Sequence, residues 1–105
     1  MKLTEAQIGE IAILAIENGN EWRVDHVHVH PYTEYYYITM HVPNSDKASR
    51  YVRLCVGKCI EDSPEGHVLH RQAHALARRL NAGDVSALRE TEFTPVIWET
   101  QDDRP

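Results

Sequence analysis

Seven of the 105 residues are histidine, and six of them fall into two regular sets: His26, His28 and His30 at a spacing of two, then His67, His70 and His74 at spacings of three and four. Imidazole binds transition metals, carries protons and changes charge near neutral pH, so regular spacing is the first thing to explain. A His-x-His pair on a strand holds its Cα atoms roughly 6–7 Å apart on one face, a common way to chelate zinc, but a catalytic zinc also needs a third protein ligand. The metal set the sequence suggests is His26, His28 and His41, with zinc as the cofactor and a metal-binding protein or metal-dependent hydrolase as the matching function. His70 and His74, four residues apart, form a second pair on one helix face. Arg71 stands where zinc-hydrolase helices carry a glutamate, so that motif is absent and a solvated helix face is the simpler reading.

The elements that must position these residues can be read from local signals. Thr4-Glu5-Ala6-Gln7 has the form of a capping box, and Asn18-Gly19 supplies a stop, so a helix is expected between them. Ile8, Ile11, Ala12 and Ala15 make its stripe; Ile13, Leu14 and Ile16 widen that stripe enough to predict deep burial, the preferred reading, or a partner helix in a dimer. Residues 21–30 and 34–42 are rich in β-branched and aromatic types and read as a hairpin, with residues 30–34 as the turn. Pairing His30 with Tyr35 would set His28 opposite Tyr37, His26 opposite Thr39 and Val24 opposite His41. Residues 50–60 read as a third strand, with Gly57 marking a bulge. Ser63-Pro64-Glu65 opens a second helix running to about Leu80 and stopping at Asn81-Ala82-Gly83. Residues 91–98 suggest a short C-terminal edge strand.

The expected fold is therefore α+β: a two-layer sandwich of helix, three antiparallel strands and helix, with residues 1–100 as one domain and 101–105 as a mobile tail. In that arrangement the strand histidines face away from the helices and the second-helix histidines face away from the sheet. The two sets would lie on opposite sides of the molecule, with no acidic residue beside His26 and His28. The outward sheet face would carry His28, Tyr35, Tyr37, Tyr51 and Arg53. Tyrosine and arginine are enriched at binding hot spots, so the preferred expectation is a non-enzymatic binding or regulatory protein that engages a protein partner, or a second copy of itself, through this face. An adaptor or inhibitor of the kind a phage or mobile element carries would suit a small acidic protein. The same rings and Arg53 could stack bases, which makes single-stranded nucleic acid another expected partner class.

Composition narrows the field. At 42% hydrophobic, 105 residues can build one core without staples. No stretch approaches the roughly 20 apolar residues of a membrane span, and no basic-then-apolar leader opens the chain, so a cytoplasmic protein is expected. Cys55 and Cys59 on one strand would be about 13 Å apart, too far for a disulfide. With Tyr37 expected between Cys55 and His28, a Cys–His nucleophilic pair is out of reach. The net charge of −5 is unevenly spread: residues 1–46 carry −5, 47–89 carry +4 and 90–105 carry −4. The helix–three strands–helix order over residues 4–82 is similar to that of double-stranded RNA-binding domains. Those domains grip phosphates with lysines at the start of the second helix, where this chain has Glu65-Gly66-His67-Val68.

Overall fold

The computed structural model describes residues 2–29, 31–43 and 49–93, with side chains described for all of these except 41–43 and 49–51. Its order is α1 (Glu5–Glu17), β1 (Trp22–Val29), β2 (Thr33–Pro43), β3 (Ser49–Ile60), α2 (Pro64–Asn81) and α3 (Ser86–Glu90). The strands form one antiparallel sheet in the order β1-β2-β3; α2 packs across all three strands, and α1 and α3 contribute to the same core. This is the expected α+β arrangement, with α3 as an unanticipated addition.

The local signals act as chemistry requires. Gln7 donates its backbone N–H to Thr4 Oγ1 at 3.2 Å while Gln7 Oε1 accepts from the Thr4 backbone at 2.9 Å, which closes the capping box. Ser63 Oγ accepts from the Gly66 backbone N–H at 3.2 Å, and Pro64, which has no N–H to satisfy, stands at the first helical position. Past the ends of α1 and α2 the chain turns through Gly19 at φ +68° and Gly83 at φ +86°, where a side chain would strain the backbone.

The core lies between α2 and one face of the sheet. Trp22, Ile38, Met40, Val52 and Leu54 come from the strands, Ala73, Leu76, Ala77 and Leu80 from α2, and Ile8, Ile11 and Ala15 from α1. Each large aliphatic side chain so buried contributes about 1.5–3 kcal/mol. Leu88 of α3 and Phe93 close the cluster. The broad stripe of α1 does not bury whole, since Ile13 and Ile16 stay 60% and 71% exposed. Arg89 of α3 ties that helix to α1 through a two-pronged bond to the Glu5 carboxylate at 2.9 and 3.0 Å.

The hairpin register differs from the sequence expectation by three residues. His28 pairs with Glu34, His26 with Tyr36 and Val24 with Ile38. Because side chains alternate, an odd shift exchanges the two faces of β1 relative to β2. The cause is a tighter connection. Val29 pairs with Thr33, which leaves only residues 30–32 between the strands, and Tyr32 takes a left-handed φ of +64° to close it. The exchange brings Trp22 and Val24 into line with Met40 and Ile38, a row more apolar than the expected pairing of Asp25 with Met40. Across β2 and β3 a bulge leaves Val56 unpaired beside Gly57, where it was anticipated. Thr91–Phe93 are not strand, and residues 94–98 of the anticipated edge strand, like the tail 101–105, lie outside the described residues.

Candidate metal centre

With this register, Trp22, Val24, His26 and His28 share the helix-facing side of β1 with Met40, Ile38, Tyr36 and Glu34 of β2. The first two pairs are core. The last two, at the hairpin end, reach the place where α2 begins, and there the packing turns polar. Gly66 in the first turn of α2 allows the approach: a Cβ on it would stand 3.1 Å from Cys59 Sγ and 3.4 Å from Glu34 Oε2. Gly57 does the same one step further along, since a Cβ there would meet Leu69 Cδ2 at 2.7 Å.

Glu34 is the centre of this corner and is only 5% exposed. Its Oε1 lies 3.2 Å from His26 Nε2 and 3.6 Å from His28 Nδ1. Its Oε2 accepts from Cys59 Sγ at 3.7 Å. Glu61 Oε1 approaches His28 Nδ1 from the outer side at 3.5 Å. A buried carboxylate needs partners to offset its lost hydration, and here two imidazole nitrogens and a thiol provide them. One atom from each of His26, His28 and Glu34 falls within 4.8 Å of the other two. Zinc bonds of about 2.0–2.1 Å to nitrogen and oxygen imply tetrahedral edges of about 3.3 Å, close to the two carboxylate–imidazole separations.

The rings around Glu34 form a continuous series. His28 and His26 are 4.4 Å apart between ring centres, His26 stacks on Tyr36 at 4.4 Å and 9°, Tyr36 meets His70 edge-on at 6.3 Å, and His70 lies 4.4 Å from His74. The two histidine sets are thus joined through Tyr36, not held on opposite sides of the molecule. Burial first, and the Glu34 charge second, push the Tyr36 hydroxyl above its ordinary range. Burial likewise raises the Cys59 thiol, against a lowering hydrogen bond with Ser63 and further raising by Glu34. A cleft of about 260 Å³ opens beside these groups, lined by His26, Glu34, Tyr36, Ser63, His67 and His70 among others.

The other residues singled out from sequence fall as follows. His41 pairs with Tyr51, one step beyond the last β1 pair, and stands five residues along β2 from Tyr36, or about 16 Å. Glu34 takes the third place in the cluster. The side chains of His41 and Tyr51, and residue 30 altogether, lie outside the described residues. Tyr35, Tyr37 and Arg53 do share the outer sheet face: the tyrosines stack at 6.3 Å and Arg53 lies 5.3 Å over the Tyr37 ring. His28 belongs to the opposite face and does not join them. Cys55 sits opposite Tyr37, fully buried, and both cysteines are unbridged. Glu34 escapes the sequence reading because a turn over residues 30–34 ends two residues later than the observed connection of residues 30–32; the poor match of Asp25 with Met40 is the available signal.

No protein-family model, no curated protein and no solved structure matches this chain. Among the described residues, no helix is long and apolar enough to cross a membrane.

Proposed function

We propose that the protein binds a divalent transition metal, zinc by the nature of the donors, through His26, His28 and Glu34, with a coordination position left open toward the adjoining cleft. The observation that carries this reading is the convergence of two imidazole nitrogens on a carboxylate that is 5% exposed. Two nitrogens and one oxygen form a donor set that suits zinc, and three protein ligands with an open fourth position are the pattern of catalytic rather than structural zinc sites. Cys59 would orient the carboxylate by holding Oε2 while Oε1 faces the ion, the outer-shell role that tunes metal affinity. Tag-free protein titrated with zinc should take up one equivalent, and Glu34→Gln or His26→Ala should weaken binding by about tenfold or more. Less than about a tenth of an equivalent in the wild-type protein overturns the reading.

A second reading, protein binding through the outer sheet face, is favoured by a separate observation. The Tyr35–Tyr37 stack and Arg53 are flanked by Val27, Val29 and Ile60, which are 37%, 44% and 69% exposed. Aromatic and arginine anchors among exposed apolar groups are the makings of an interface, and a second copy of the chain is the simplest occupant. Sedimentation over a range of concentrations should show association that Tyr35→Ala and Val29→Ser abolish. A protein that stays monomeric throughout removes this reading.

A further inference from the structure

His70 lines two clefts: the one beside the proposed metal centre and a second, of about 350 Å³, shared with Arg71, His74 and Arg78 on α2. Arg79 is bound to Asp84 and Glu90, and Arg89 to Glu5, whereas among the described residues the arginines of this second cleft, Arg71 and Arg78, have no ion-pair partner. They are seven residues apart on one helix, a separation of about 10 Å. The metal corner and this cationic strip are therefore neighbours on one surface, joined by the Tyr36–His70 contact.

We infer that the ligand of this surface is a small organic phosphate with an anionic group at each end, one meeting the metal at its open position and the other held by Arg71 and Arg78. The inference rests on the metal-binding reading above and adds the ligand's chemical class. Guanidinium groups recognise phosphate and carboxylate oxygens through paired donors, and a divalent cation favours the same oxygens. At about 350 Å³ the second cleft is at the small end of the range that ligand pockets occupy, which suits a small molecule. The chain's net charge of −5 opposes long polyanions, whose many phosphates would also meet its acidic segments, and so favours a small ligand over a nucleic-acid strand.

The test uses hexane-1,6-diol bisphosphate and, as the one-ended control, hexyl phosphate, each titrated into zinc-loaded and zinc-free protein. The bisphosphate should bind the zinc-loaded protein at least about tenfold more tightly than hexyl phosphate does, as expected of a second tethered contact. The exposed double substitution Arg71→Ala, Arg78→Ala should erase that advantage and leave zinc affinity unchanged. Equal affinity for the two probes, or a bisphosphate advantage that survives the double substitution, overturns the inference while the metal site stands. Failure to bind zinc overturns both. A thymidine octamer that displaces the bisphosphate at lower concentration than the bisphosphate itself would overturn the choice of a small ligand.

Discussion

Glu34 shows how much one side chain can organise. Its two oxygens face different neighbours, Oε1 the imidazoles of His26 and His28 and Oε2 the thiol of Cys59, so the carboxylate is held from both sides. The two thiols consequently live in different surroundings. Cys55 is fully buried, and burial pushes its thiol up with only partial relief from the Gly57 backbone and Lys58. Cys59 is half-buried, with its thiol against the Glu34 carboxylate. Since the thiolate is the reactive form and must be reached by the reagent, iodoacetamide at neutral pH should label Cys59 slowly and leave Cys55 untouched until the protein unfolds. Mass spectrometry showing equal labelling of both in the native protein would contradict this placement.

At the scale of elements, the site depends on how α2 is fastened to the sheet. Its N-terminal turn comes close because Gly66 and Gly57 offer no side chains to the neighbours they face. Its C-terminal end is clamped by Asn81, whose Oδ1 accepts from the Trp22 backbone N–H at 2.7 Å and whose Nδ2 donates to the Trp22 carbonyl at 3.0 Å. One side chain thus supplies both backbone bonds that a further strand would have offered at the start of β1. Two bonds at about 0.5–1.5 kcal/mol each predict that Asn81→Ala costs about 1–3 kcal/mol in urea unfolding. Asn81→Asp, which keeps the acceptor and loses the donor, should cost less than the alanine change. An unchanged urea midpoint for Asn81→Ala would show that the clamp does not hold the helix.

For the whole molecule, the titrating groups bound a stability plateau from both sides. Hydrogen bonds first, and charge attraction after them, hold the Glu5 and Asp84 carboxyls below their ordinary values through Arg89 in one case and Ser86 and Arg79 in the other. A lowered carboxyl contributes stability above its unfolded value, and that contribution is lost as pH falls through the lowered one. Cys55, Cys59 and Tyr36 are shifted upward, so their contribution is complete below the ordinary values of 9.0 for a thiol and 10.0 for a phenol and is lost as pH rises past them. The urea midpoint should be level near neutrality and fall by about pH 10; a midpoint that rises there would contradict the burial of these groups. Much of this architecture is legible in the chain itself. The Thr4 capping box, the Ser63-Pro64 helix start, the β-rich stretches and the glycine bulge are local, each decided by residues three or four apart, and the structure bears them out. Two placements were not settled by local signals. The hairpin register turns on whether Tyr32 accepts a left-handed backbone, which tyrosine gives no sign of doing, and a three-residue shift moves His26 and His28 from one face to the other. The direction of His70 was also misjudged: at about 100° per residue it lies only about a quarter turn from the centre of the α2 apolar stripe, near enough to lean over the sheet edge. Element order and element ends followed from the sequence alone, because neighbouring residues settle them. Which histidines meet, and that a glutamate meets them, was decided only in the tertiary structure, where burying Trp22 and Val24 with Ile38 and Met40 selects the register that carries Glu34 inward.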